Sequence, residues 1–164
     1  EHNRHVFDAR PSTFDLWDTY LPAFHELIVN TGVHGVMCAY NRLDGQPCCG
    51  NDPLLVDILR NQWHFEGYVT TDCGAMNDFY SGHNTHPDAT SAMSDALLAG
   101  TDLECGNLYK QLAEGVRKGL HSERDVNTSL KRLLRILFKI GMFDPQDRVP
   151  YSSIGKNKTW NGRI

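Results

Sequence analysis

The spacing of apolar residues near the start of the chain predicts an α-helix followed by a strand. A stripe of apolar side chains recurs at steps of three and four residues, as on one face of a helix. Its members are Leu16, Tyr20, Phe24, Leu27 and Ile28. Ser12 or Thr13 can cap this helix, which is expected to run to about Val29 and to bend or split at Pro22. After Gly32, residues 34–39 are typical of a short buried strand.

The same order of helix and strand occurs twice more. Asn51 or Asp52 is expected to cap a helix that begins at Pro53 and buries residues 54, 55, 58 and 59. Aromatic and β-branched residues at Tyr68–Thr71 predict the next strand. Pro87 is predicted to open a helix that ends at Gly100, before a third short strand at 101–104. Residues 41–50 are predicted to form a loop.

Two further helices are predicted after the third strand. The first covers residues 107–118, and the second is capped by Ser122 with Asp125 and stops at Gly141. The second is expected to bury an apolar stripe, namely Val126, Leu130, Leu133, Leu134, Leu137 and Ile140.

Helices and strands that alternate in this way predict an α/β fold with a parallel sheet and right-handed crossovers. Three strands cannot close a (β/α)₈ barrel, which needs roughly 250 residues. The pattern therefore predicts a partial (β/α)₈ barrel over residues 1–145, part of a larger protein, and a linker or interdomain segment over 146–164.

Composition narrows the functional classes. The 164 residues are 40% hydrophobic and 22% charged, values typical of a globular protein. A net charge of −4 argues against a nucleic-acid partner and against a basic membrane anchor. No apolar run is long enough to span a bilayer, and the first ten residues carry no signal-peptide pattern. The chain lacks an initiator Met, so its natural N-terminus is expected to lie elsewhere.

Asp72 is the strongest candidate for chemistry. It follows the predicted strand Tyr68–Thr71 directly, and small residues come after it. Functional side chains of α/β proteins lie past the carboxyl ends of parallel strands, which suits a nucleophile at this position. A helix-capping or turn aspartate is the alternative from spacing alone. A phospho-acceptor aspartate is a third interpretation. Such a domain would need an acidic pair on its first strand and a lysine after a later one, and the sequence shows no such set.

The five cysteines do not have the spacing of metal ligands, and no metal or cofactor is predicted. Because five is an odd number, at least one thiol is expected to stay free or to pair outside the chain.

Several segments in order resemble glycoside hydrolase family 3, over roughly residues 4–150. They are Arg4, 20–22, 36–41, 51–63, 67–72 and 141–144. The resemblance implies the later half of that family's N-terminal barrel. It also implies a retaining β-glycosidase that acts on non-reducing sugar ends, with a small oligosaccharide or aryl glycoside as substrate.

The resemblance assigns roles to three side chains. Asp72 matches the nucleophile and Arg4 matches an arginine that binds sugar hydroxyls. Tyr40 matches a tyrosine that approaches the nucleophile or the ring oxygen of the sugar. Without the resemblance, Arg4 would be interpreted as an exposed arginine near a chain end, and Tyr40 as a packing residue at the rim.

Cysteine directly after the nucleophile resembles the β-xylosidase branch of the family. That branch implies a Cys73–Cys105 disulfide, which would form one wall of the sugar site and favour a pentose. Cys38 could pair with either Cys48 or Cys49 across the intervening loop.

The family's Lys-His pair and the domain that supplies its acid/base glutamate are not in this sequence. Four carboxylates are candidates by type alone, but none is assigned the acid/base role: Glu66, Asp78, Asp102 and Glu104. The chain is therefore expected to need the remainder of an enzyme and to be inactive alone. A non-catalytic sugar-binding or assembly module is the alternative. Family habit favours secretion or the periplasm.

Overall fold

The computed structural model describes residues 3–155, and this part of the chain contains five short strands. They are β1 (Asp8–Ala9), β2 (Gly35–Cys38), β3 (Arg42–Leu43), β4 (Gln46–Pro47) and β5 (Tyr68–Thr71). β2 and β5 are parallel, with Val36 opposite Val69. β1 and β3 pair in parallel in a separate small sheet, where β3 and β4 form an antiparallel hairpin.

Helical segments separate β1 from β2 and β4 from β5, and the remaining ones follow β5. The α-helices are α1 (Thr13–Asp15), α2 (Pro22–His25), α3 (Asp78–Ser81), α4 (Ala89–Leu98), α5 (Leu112–Arg117) and α6 (Glu123–Lys139). π-Helical turns occupy Leu16–Tyr20, Glu26–Asn30 and Pro53–Gln62. Short 3₁₀ turns occupy Cys48–Gly50, Ala75–Asn77, Tyr109–Gln111 and Gln146–Arg148. No helix within residues 3–155 is both long and apolar enough to cross a membrane.

Local capping chemistry sets the helix starts. The Asn51 side chain accepts a hydrogen bond from the Leu54 amide at 2.9 Å, and Ser122 with Asp125 forms a reciprocal capping box. The predicted start at Pro87 is wrong. α4 begins at Ala89 because the Asp88 side chain caps it, and Pro87 precedes the cap.

The third predicted strand, 101–104, is reduced to a single bridge between Thr70 and Leu103. The reason is that a side chain takes the place of a backbone partner in the sheet: Asp102 Oδ2 accepts a hydrogen bond from the Val69 amide at 2.9 Å. The amides of Asp102 and Leu103 then both donate to the Val69 carbonyl, so the regular pairing ends after one bridge.

The predicted loop 41–50 contains the β3–β4 hairpin. Its turn residues Asp44 and Gly45 have φ values of 50° and 86°. Two successive positive φ values are the mark of the turn that joins two strands most tightly, so the short strands follow from the Asp-Gly pair.

One face of the β2–β5 sheet is buried under helices. Cys38 and Val69 on this face join a core with side chains of four helical segments: Leu55, Leu59, Met76, Phe79 and Met93. The other face is open within the described residues, and Met37, which belongs to the strand predicted to be buried, is 59% exposed.

Two predicted apolar stripes are only partly covered. In the N-terminal helical run Leu21 and Ile28 are buried, but Tyr20, Phe24 and Leu27 are exposed. In α6 the buried positions are Ser129 and Ile136, whereas the predicted core residues Leu130 and Ile140 are exposed. An amphipathic pattern identifies an apolar face, and the neighbouring elements decide which part of that face is covered.

A buried ionic cluster ties the end of the sheet to two helical segments. Asp102 has no exposed side-chain surface and receives Arg60 Nη2 at 2.7 Å and Arg132 Nη1 at 3.0 Å. Arg60 comes from the segment Pro53–Gln62 and Arg132 from α6. Asp102, a candidate carboxylate by residue type, is therefore a structural residue.

Candidate active site

Asp72 lies immediately after β5, in a turn with well-defined backbone contacts. Its amide donates to the Cys38 carbonyl at 3.0 Å, which continues the pairing of β5 with β2. Its Oδ1 accepts the Cys73 amide at 2.7 Å, and the residue is half-buried. Gly74 has φ +81°, a conformation that favours glycine, and its amide donates to the Cys105 carbonyl at 2.8 Å. The carboxylate is thus fixed at the edge of the sheet.

Tyr40 lies beside this carboxylate. Its hydroxyl donates to the Cys73 carbonyl at 2.7 Å, and His83 Nε2 lies 2.8 Å from the Tyr40 carbonyl. The pKa of Tyr40 is raised, first by partial loss of hydration and then by the charge of Asp72 and a hydrogen bond with it. The Tyr40 hydroxyl is therefore close to both the carbonyl of Cys73 and the carboxylate of Asp72.

Arg4 completes this group. Its guanidinium carbon lies 4.9 Å from the centre of the Tyr40 ring, a cation–π distance. The positive charge of Arg4 opposes the rise in the Tyr40 pKa. Arg4, Tyr40 and Asp72, which are far apart in sequence, are thus brought together at one edge of the sheet.

Two residues without an assigned role stand in the same group. The His5 ring lies 4.4 Å from the Tyr40 ring, and its Nδ1 is 2.7 Å from Asp78 Oδ2. His5 had no signal in the sequence beyond its position next to Arg4, and Asp78 was a candidate only by residue type.

Two disulfides stand at this edge. Cys73 is bonded to Cys105, directly beside Asp72. Of the two pairings left open for Cys38, the structure contains Cys38–Cys49. Cys48 is a buried free thiol, and burial raises its pKa to about 11, which makes it a poor nucleophile at neutral pH.

Glu104 is occupied by the backbone. Its Oε2 accepts the Tyr109 amide at 2.6 Å, and the Tyr109 hydroxyl donates to the Thr101 carbonyl at 2.6 Å. Burial holds the pKa of Tyr109 well above its usual range. This carboxylate therefore holds the chain after Leu103 in place.

Sequence comparison identifies relatives over almost the whole chain. The model of the glycosyl hydrolase family 3 N-terminal domain matches residues 2–136. A xylan 1,4-beta-xylosidase of Xylanibacter ruminicola is 46% identical over 169 residues, which cover 98% of this chain and 20% of that protein. A probable exo-1,4-beta-xylosidase of Aspergillus clavatus is 43% identical over 157 residues, or 93% of this chain and 20% of that protein.

Comparison with solved structures finds similar folds in a xylosidase and a glucosidase. A family 3 exo-beta-xylosidase (XlnD), in complex with a xylobiose aziridine activity-based probe, superposes with a TM-score of 0.87 at 33% identity, over 92% of this chain and 20% of that chain. A beta-glucosidase from Listeria innocua in complex with glucose gives a TM-score of 0.81 at 30% identity, over 92% and 20%. The chain spans about a fifth of the length of the proteins it matches. Its fold is mixed α/β, and the chain belongs to glycosyl hydrolase family 3.

Proposed function

We propose that this chain is part of a retaining, exo-acting β-glycosidase that releases terminal β-xylosyl residues, or β-glucosyl residues, from non-reducing ends. The observation that carries the proposal is Asp72, a half-buried carboxylate fixed just past β5, beside Tyr40 and the Cys73–Cys105 disulfide. The names of the relatives, which include xylosidases and glucosidases, support the substrate class.

In the proposed reaction, a carboxylate oxygen of Asp72 attacks the anomeric carbon of the terminal sugar. The bond from that carbon to the leaving oxygen breaks, and a carboxylic acid protonates this oxygen. Water then hydrolyses the glycosyl ester and regenerates the Asp72 carboxylate. The Cys73 amide holds Oδ1 and orients the carboxylate, while the Arg4 guanidinium binds sugar hydroxyls.

Residues 1–145 form part of a (β/α)₈ barrel in this proposal. β2, β5 and the bridge at Leu103 lie side by side in parallel, as consecutive barrel strands do. Helices cover one face of these strands. The open face, with Met37 59% exposed, corresponds to a barrel interior, which the side chains of further strands would help to fill. Residues 146–164 are assigned as a linker or interdomain segment, of which 156–164 lie outside the described residues.

The proton donor belongs to the remainder of the enzyme. Three nearby carboxylates already have structural partners, as Asp78 binds His5, Asp102 binds two arginines and Glu104 binds the Tyr109 amide. The 164-residue chain is therefore proposed to be inactive alone. Two disulfides favour an oxidising compartment, so the enzyme is proposed to be secreted or periplasmic.

A non-catalytic sugar-binding or assembly module that retains the barrel fold is the second candidate. The free Cys48 thiol and the buried Asp102 cluster would suit either function. The arrangement of Tyr40 and Arg4 around a carboxylate favours the enzyme, because a module that only binds sugar has no need of a fixed nucleophile.

The stereochemistry of the first product tests the proposed reaction. In proton NMR of an aryl β-xyloside with the complete enzyme, β-xylose is expected to appear before its α-anomer, because two displacements retain the configuration. Initial formation of α-xylose would exclude a covalent intermediate on Asp72. Absence of turnover by the complete protein would favour the non-catalytic module.

The disulfide beside the nucleophile is expected to set the choice of sugar. Replacing both Cys73 and Cys105 by serine removes the wall next to Asp72, so the ratio of kcat/KM for xyloside over glucoside is expected to fall about tenfold, the scale on which pocket shape discriminates between sugars that differ by one carbon group. Replacing Cys48 by serine is the control, because this thiol is outside both disulfides. An unchanged ratio in the double variant would exclude this role.

A further inference from the structure

The segment that carries Arg4 is held against the loop that follows α3. A Cβ atom added to Gly82 would lie 2.7 Å from the His5 carbonyl oxygen, which shows how closely the two backbones approach. Val6 and Phe7 both donate their amides to the Asn3 carbonyl, so the segment forms a tight turn. The Phe7 carbonyl then accepts a hydrogen bond from the Arg42 amide at 2.9 Å, and this bond anchors the end of the segment to β3.

His5 links this turn to the nucleophile region through two hydrogen bonds. Its Nδ1 is 2.7 Å from Asp78 Oδ2, and a carboxylate only accepts, so Nδ1 carries the proton. On the other side of the ring, Arg4 Nε donates to Nε2 at 3.4 Å. The order Asp78–His5–Arg4 thus connects a carboxylate to the guanidinium of the sugar-binding arginine.

Asp78 is a rigid partner for this connection. Its side chain is 12% exposed, and it begins α3, directly after the 3₁₀ turn Ala75–Asn77. That turn starts two residues after Cys73, so only five residues of ordered backbone lie between Asp72 and Asp78. Any movement of Asp78 relative to the nucleophile would have to distort this turn.

The His5 ring also contacts Tyr40, with 4.4 Å between the ring centres, and the Arg4 guanidinium lies near the same ring. We propose that His5 and Asp78 are positioning residues of the sugar site, which hold Arg4 and Tyr40 in place relative to Asp72. This inference rests on the proposed glycosidase function. Neither residue touches the reacting atoms, and their effect is to keep the hydroxyl-binding guanidinium at a fixed place.

The test measures covalent inactivation of the complete enzyme by a 2-fluoro-xyloside, with KI and the inactivation rate constant determined separately. His5→Ala and Asp78→Ala are each expected to raise KI about tenfold, because the arginine that binds the sugar is no longer held in its productive position. Asp78→Asn retains an oxygen that accepts the Nδ1 proton and is expected to stay within about threefold of the wild type.

His86→Gln is the matched control. His86 also pairs with an aspartate, Asp95 at 3.3 Å, but its ring contacts Phe79 and Thr85 and not Tyr40. Its KI is expected to equal that of the wild type. An equal rise in this control would assign the effect to the loop as a whole and overturn the proposal.

The remaining outcomes separate this inference from the proposed function. If the wild type is inactivated and both alanine variants keep its KI, the positioning role is wrong while the nucleophile stands. If the wild type is not inactivated, the proposed function fails, and the positioning role fails with it. Should Asp78→Ala not fold, His5→Ala decides the result, because His5 is half-exposed and its replacement leaves the core intact.

Discussion

Replacing Asp72 by asparagine is expected to lower kcat of the complete enzyme on an aryl β-xyloside by at least about 10⁴-fold, because loss of a catalytic nucleophile can cost on the order of 10⁶-fold in kcat. The amide is nearly isosteric, so it can still occupy the turn beside Tyr40, but it cannot attack the anomeric carbon. The sugar binding proposed for Arg4 does not involve the Asp72 carboxylate, so KM is expected to change little. The measurement is the initial rate of nitrophenol release over a range of substrate concentrations.

Asp57→Asn is the control for the loss of one negative charge. Asp57 lies in the helical segment Pro53–Gln62 and is exposed, away from the edge of the sheet where Asp72 stands. Its activity is expected to match the wild type. A folded Asp72→Asn enzyme that keeps more than a few per cent of wild-type kcat would show that Asp72 is not the nucleophile.

The largest expected loss of stability follows from Asp102→Ala. This change leaves the Arg60 and Arg132 guanidiniums facing each other without a carboxylate, and it leaves the Val69 amide without its acceptor. Burial already lowers the pKa of Arg60, and the Arg132 charge lowers it further. Removing one partner of a buried ion pair costs about 3–5 kcal/mol in the free energy of unfolding. Urea unfolding followed by tryptophan fluorescence measures the change.

Glu114→Gln provides the comparison for this variant. Glu114 pairs with Arg117 at 2.6 Å, but both side chains are well exposed, and such pairs contribute about 0.5 kcal/mol or less. If Asp102→Ala shifts the free energy of unfolding no more than Glu114→Gln does, the buried cluster does not stabilise the fold as described.

Elements that depend on local chemistry could be predicted from the sequence. Ser122 and Asp125 cap α6, and Asn51 caps the segment that begins at Pro53, because the groups that form each cap lie within three residues. The strand Tyr68–Thr71 and the carboxylate after it could also be predicted, because the β-branched residues that favour the strand stand directly before Asp72 in the sequence.

Features that depend on distant partners could not be predicted. The strand expected at 101–104 is reduced to one bridge because the Asp102 carboxylate accepts a hydrogen bond from the amide of Val69, which lies 33 residues earlier. Likewise the exposure of Tyr20 and Ile140 depends on which elements cover each apolar face, and a helical pattern carries no information about that.

The candidate site divides in the same way. The family resemblance located Arg4, Tyr40 and Asp72, but His5 and Asp78 are 73 residues apart and only the fold pairs them. The partner of Cys38 was open because Cys48 and Cys49 are adjacent, and the direction of each side chain decides between them. Cys49 lies in the core beside Cys38 and bonds to it, whereas Cys48, which is also buried, remains a free thiol.

Mass spectrometry of the complete enzyme after reaction with a 2-fluoro-xyloside tests the nucleophile most directly. One fluoroxylosyl group is expected on the peptide that contains Asp72, bound through an ester, and none on the Asp72→Asn enzyme. An adduct on a different carboxylate, in an enzyme that hydrolyses aryl xylosides, would contradict the role given to Asp72.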